Sequence, residues 1–263
     1  MDYKVSIFLK GMKNKQFFLA ILIILTSMIF SVSAFIEEGT EYFFNHDYIV
    51  AFLQGYNGDR SLLIVLAPLI ATIPFASQHI ENRKSGTMKY IISRMGYKQY
   101  FNSIFIINGF ISFTTFIFGM LLFLIMSILF FNRSINMDAY YAITKVSIYE
   151  SAVRTSPLFY VVIIILHCSF VGVAYSSVGL AMSYFIKIKL VAWLSPFILT
   201  TIGSLFAMFL GLTKIEPMAI FDVSRVKGIS VIFVFVYLIL IVVISYWISY
   251  KKFKRDIETD EEI

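Results

Sequence analysis

The side chains of this 263-residue chain that could do covalent or acid–base chemistry are few and widely spread. Cys168 is the one cysteine and stands beside His167, so no disulfide can close within the chain. The other histidines are His46 and His79, and imidazoles so scattered argue against a metal site. Ser176 and Ser177 lie in "VGVAYSSVGLAMS", but a serine nucleophile needs a base within reach. The chain holds no GxSxG, no HExxH and no paired aspartates. The phosphate-cradling pattern GxxxxGK followed by Ser or Thr is missing too. The chain is read as no enzyme, with no cofactor of its own; if ATP drives it, another polypeptide must hydrolyse that ATP.

The elements that would position these residues are membrane helices. The chain is 59% hydrophobic and 14% charged, with a mean hydropathy of +0.82, whereas soluble domains carry roughly 25% charge. Apolar runs predict six spans, at about 17–36, 61–80, 102–131, 159–184, 190–211 and 229–250, each near the roughly 20 residues a bilayer requires of a helix. A β-barrel would alternate in segments of about ten residues, but "VIFVFVYLILIVVISYW" is continuously apolar. A cleaved leader ending near "SVSA" is the rival reading of the N-terminus. Against it, the first run exceeds a usual leader core, and five spans would put the termini on opposite sides.

Lys and Arg set the orientation. Fifteen fall on the side that holds both termini, the stretch 81–100 and the "KIK" turn, and seven on the other. Both termini are therefore read as cytoplasmic. The net charge of +6 then reflects topology and implies no nucleic-acid partner. Outside, the loop after the first span is read as acidic (Glu37, Glu38, Glu41, Asp47, Asp59) and aromatic (Tyr42, Phe43, Phe44, Tyr48).

The predicted spans hold no carboxylate, Lys or Arg, leaving only His167 at depth, which disfavours a self-powered antiporter. Gly172, Ser176, Gly179 and Ser183 recur on one helix face, and Gly203, Ala207 and Gly211 repeat the device after a break at Ser195-Pro196. Such stripes suit close helix packing, within the subunit or across a dimer.

The polar stretch "ENRKSGTMKYIISRMGYKQY" between the second and third spans is the remaining candidate. Met88, Ile91, Ile92 and Met95 share a helix face, and Lys89, Ser93 and Arg94 project elsewhere. Gly86 permits a sharp turn, and Thr87 is suited to cap a helix starting at Met88. The first fifteen residues show a similar pattern, with Val5, Phe8, Leu9 and Met12 on one face and Lys4, Lys10 and Lys13 interleaved. That predicts an N-terminal interfacial helix on anionic lipid.

"IENRKSGTMKYIISRMGYKQY" resembles the first cytoplasmic loop of ABC transporter type 2 permeases through Glu81, Gly86, Thr87, Arg94, Tyr97 and Lys98. The six-span layout with cytoplasmic termini extends the likeness over most of the chain. Arg83 and Lys84 stand where such loops often carry a second acidic residue, and Met95-Gly96 where a proline is common. The resemblance implies that 86–97 is a coupling helix whose apolar face docks on an ATPase; the alternative is a helix lying on lipid. It further implies an exporter in a bacterial plasma membrane, built from two permease chains, identical or paralogous, and two copies of an ATPase that carries ATP and Mg. The passenger would be amphiphilic, a peptide first and a drug or lipid second. The family often has short re-entrant helices between its last two spans, where "GLTKIEPMAIFDVSRVKG" stands; an exposed loop is the alternative. A membrane scaffold or sensor without an ATPase is the competing functional class.

Overall fold

The computed structural model describes residues 3–33, 46–58, 60–224 and 228–259. The end of the first predicted span (34–36), the outside-loop residues Glu37, Glu38, Glu41, Tyr42, Phe43, Phe44 and Asp59, and the side chains of Lys4 and Val5 lie outside the described residues.

Helix α1 (Tyr3–Met12) is followed by α2 (Lys15–Val32), whose N-cap Asn14 accepts a hydrogen bond from Gln16 N. Then come α3 (Tyr48–Asn57), α4 (Leu62–Thr72), α5 (Gln78–Lys84) and α6 (Thr87–Met95). The long α7 (Tyr97–Phe130) leads through the short α8 (Met137–Thr144) and α9 (Glu150–Thr155) to α10 (Pro157–Phe185). The chain ends with α11 (Lys189–Phe209), α12 (Pro217–Phe221) and α13 (Val231–Glu258). Among the described residues there is no strand, only an isolated bridge between Asp47 and Asn132.

Among the described residues five helices, α2, α7, α10, α11 and α13, are long and apolar enough to cross a membrane. The chain is thus an all-α, multi-pass membrane protein. The second predicted span is interrupted: α4 stops at Thr72, residues 73–77 form a run of turns, and α5 resumes at Gln78. Pro74 stands at the break: its ring has no N–H to offer Ile70 O and crowds that carbonyl, although Ile73 itself keeps helical backbone.

Proline does not always win. Pro196 lies inside an unbroken α11, against the expected break. The carbonyl that Pro196 cannot reach, Ala192 O, accepts instead from Ser195 Oγ at 3.1 Å. Inside a membrane such a carbonyl has no water to turn to.

The central post is α10, with 61% of its most apolar stretch buried, against 17% for α13. Its small residues let neighbouring helices come close. A Cβ on Gly172 would stand 2.6 Å from the Phe116 ring of α7, and one on Gly179 would stand 2.4 Å from Thr72 of α4 and 2.9 Å from Ala192 O of α11. Ser176 and Ser183 are buried, their hydroxyls turned back to Val173 O at 3.0 Å and Leu180 O at 2.6 Å. On α11, Gly203 meets Pro217 of α12 and Ala207 is buried. Gly211 does not belong to this stripe: it is exposed, nothing lies within 4 Å of its absent Cβ, and its φ of 69° ends the helix.

Asp47 and Tyr48 belong to no exposed loop. Asp47 is buried and caps α3, accepting from Val50 N at 2.8 Å and Asn136 N at 2.9 Å. The helix it starts buries Ile49, Phe52, Leu53 and Tyr56 against α2, α7 and α10. Between α11 and α13 the chain turns back inward, and α12 buries Ala219, Ile220 and Phe221. Arg225 and Lys227 lie outside the described residues.

Gly179→Leu should lower the thermal midpoint of the detergent-solubilised protein by about 3–10 °C, the effect of about 1–3 kcal/mol of overpacking in a chain of this size. Gly211→Asn, at an open left-handed position, should change it by less than about 2 °C. Equal losses in the two variants would remove Gly179 as a packing contact.

Candidate functional site

Helix α6 is slung between two glycines in left-handed backbone, Gly86 at φ 70° and Gly96 at φ 80°. Residues with a side chain rarely adopt that region, so these positions allow the chain to leave α5, run nine residues as helix and turn again into α7. The helix begins at Thr87 rather than Met88, and Thr87 does not cap it: its hydroxyl points back to Asn82 O at 3.3 Å.

The apolar face of α6 is closed against the chain itself. Met88 is 2% exposed, and the half-buried Ile91, Ile92 and Met95 pack on a cluster that includes Phe75, Ala76, Tyr100 and Phe253. The outward face carries Lys89, Tyr90, Ser93 and Arg94, with Tyr90 74% exposed. An outside partner would therefore meet a tyrosine among charges.

Three links join this segment to the bundle. Glu81 of α5 pairs with Lys189, the first residue of α11, at 2.5 Å. Asn82 accepts from Gln78 Nε2 at 2.8 Å and donates to the Tyr100 hydroxyl of α7 at 3.1 Å. His79 stacks on Tyr184 of α10, ring centroids 3.9 Å apart, and meets the edge of Phe253 of α13 at 5.6 Å. Through these side chains α5, which leads into α6, touches α7, α10, α11 and α13.

The N-terminal helix belongs to the same end. Phe8 and Met12 pack on the cluster, while Leu9, predicted to share their face, is 40% exposed. Gly11 lies so close to Ile111 and Phe75 that a Cβ there would stand 2.2 Å from Ile111 Cδ1.

The residues weighed for covalent chemistry are engaged in holding the fold. Ile220 O can only accept, so His167 Nε2 donates to it at 2.8 Å, and Nδ1 accepts from the Tyr149 hydroxyl at 2.9 Å. Burial pushes Tyr149 well above the usual phenol range, which keeps that donor protonated. Tyr56 completes the tie to α12 by donating to Phe221 O at 2.5 Å and accepting from Val223 N at 3.2 Å. Ser177 donates to Ala174 O at 2.7 Å, and Cys168 is buried and free. Among the described residues no three His, Cys, Asp or Glu side chains gather.

Three features of this end go beyond the sequence expectation: the Pro74 break, the Glu81–Lys189 pair and the His79 aromatic cluster. Pro74 was a visible signal, as a proline within the predicted span. The pair joins residues 108 positions apart, and no local pattern announces it. No family model, curated protein or solved structure matches the chain.

The Glu81–Lys189 pair is partly exposed, so its coupling should be modest, about 0.5–1 kcal/mol. Glu81→Lys should lower the thermal midpoint, and adding Lys189→Glu should recover most of the loss. A double variant no better than the sum of the single ones, in a thermal-melt cycle, removes the link.

Proposed function

We propose that this chain is the membrane subunit of an ATP-driven exporter of the ABC type 2 permease kind, with α6 as the element that receives force from a separate ATPase. The observation that carries this is α6 itself: a short helix outside the long spans, hinged on two glycines and tied through α5 to α7, α10, α11 and α13.

Topology supports the reading. Ile7 and Phe8 of α1 and Ile257 of α13 pack on one apolar cluster, so both described ends of the chain lie at the same end of the bundle. Five crossings would separate them. Counting α4, its turn and α5 as one interrupted crossing gives six and brings them together. The excess of Lys and Arg at that end makes it cytoplasmic, in a bacterial plasma membrane.

In this reading two ATPase copies carry ATP and Mg, and two permease chains enclose the route. The outward face of α11, with Ile198, Ile202, Leu205, Phe206 and Phe209 exposed, is available to lipid or to a second chain. ATPase closure would push on Tyr90 and Arg94, and the packed side chains behind α6 would carry the shift to the long helices. With no fixed charge in the predicted spans, the passenger is amphiphilic, an exported peptide before a drug or lipid. The inward-turned α12 would cap its exit.

One observation favours the second class, a scaffold or sensor subunit: α6 spends its apolar face inside the chain, so its position does not require a partner.

Co-expression with an ATPase that carries Walker A and signature motifs, sought first in the adjacent reading frame, separates the two. Wild type should retain that ATPase through purification in mild detergent, and Tyr90→Asp with Arg94→Glu should cut retention at least about tenfold, since central aromatic and Arg contacts dominate interfaces. The thermal midpoint should stay unchanged. No retained ATPase with wild type defeats the exporter reading; equal retention by the variant moves the docking surface away from α6.

A further inference from the structure

A cavity of about 670 Å³ opens between α1, the turn after α4, α5 and α6. Lys10, Lys13 and Lys15 line it, with Gln78, Asn82 and Thr87. Ile7, Phe75 and Ile91 supply an apolar wall. We propose that it binds a phosphate group, that of an anionic lipid headgroup or of a free phosphate.

Charge carries the argument. Three cations from one short segment meet at one cavity, and among the described residues none of them has a carboxylate partner. The one carboxylate on the wall, Glu81, is held by Lys189 at 2.5 Å and leaves the lysines unneutralised. Three exposed lysines around one cavity give it a positive potential, which favours an anion there.

The donors suit that anion. Lysine ammonium groups and the Gln78 amide donate hydrogen bonds. Thr87 begins α6, a nine-residue helix with no side chain capping its first turn, so backbone N–H groups there are open to an acceptor. Phosphate offers several oxygens to such donors.

Position makes a lipid headgroup the nearest source. Lys15 is the first residue of α2, a helix long and apolar enough to cross the membrane, so the cavity lies at the level where headgroups begin. Gly11, packed against Ile111 and Phe75, keeps α1 close and the cavity walled on that side. A phosphate here would bridge α1 to α5 and α6, so bound lipid would stiffen the segment assigned above to receive force. Only that last consequence rests on the exporter reading. The binding assay involves no ATPase, so either idea can fail alone.

The test uses the full chain, purified in a neutral detergent and examined by native mass spectrometry with phosphatidylglycerol or phosphatidylcholine added. Wild type should retain phosphatidylglycerol preferentially. Lys13→Gln should weaken retention about fivefold, and the triple Lys10→Gln, Lys13→Gln, Lys15→Gln by more than about twentyfold, following about 1 kcal/mol for each basic residue near an anionic surface. Lys251→Gln with Lys254→Gln, on the tail of α13, should leave it unchanged. The single variant keeps the test valid if the triple one does not fold. Displacement of the lipid by millimolar inorganic phosphate would support recognition of the phosphate group from either source; retention in its presence would support the lipid headgroup. The proposal is overturned if the two lipids are retained equally, if the tail variant loses as much as the cavity variants, or if an acidic peptide binds there and phosphatidylglycerol does not.

Discussion

Within hydrocarbon a backbone carbonyl must find its donor inside the protein, and two prolines set where this chain meets or evades that demand. At Pro196 the neighbouring Ser195 hydroxyl supplies the missing bond to Ala192 O, so α11 stays whole. At Pro74 the helix gives way. The hydroxyl of Thr72, its last residue, shares its hydrogen between Leu69 O at 2.8 Å and Trp193 O of α11 at 2.9 Å. The broken element is thereby fastened to α11 where it ends, while the turn that follows redirects α5 and so decides where α6 can lie.

Gly179 makes that arrangement possible. It brings α10 against Thr72 and Ala192 O together, so the central post touches the broken helix and the proline-bearing one at the same level. From there α10 runs toward two differently built ends. Toward α12, the bonds of His167, Tyr149 and Tyr56 tie irregular backbone to the bundle. Toward the termini, the aromatic rings of His79, Tyr100, Tyr184 and Phe253 do the holding. Ring contacts predominate at that second end, with one buried hydrogen bond set among them, from Asn82 to the Tyr100 hydroxyl at 3.1 Å.

This asymmetry bears on how a helix such as α6 could act. Its apolar face is part of the core, and its outward face is short and polar. It is less an arm extended to a partner than a piece of the bundle that reaches the surface.

Much of this was legible in the chain itself. Uninterrupted apolarity determines that the protein is a helical membrane protein, because a span must satisfy its own backbone. The period of Met88, Ile91, Ile92 and Met95 locates α6 and its two faces, and the small-residue register of α10 identifies its packing edge. Gly86 marks a turn for the same local reason, that left-handed backbone excludes side chains. What the tertiary structure alone decided is what those faces touch. Whether α6 turns its Met and Ile residues outward or inward, whether Asp47 is a loop charge or the cap of a buried helix, and whether Gly211 packs or ends a helix all depend on residues far along the chain. A proline likewise ends a helix at Pro74 yet is carried within one at Pro68 and Pro196. Periodicity states which residues share a side; only the placement of neighbouring helices assigns that side to core, lipid or water.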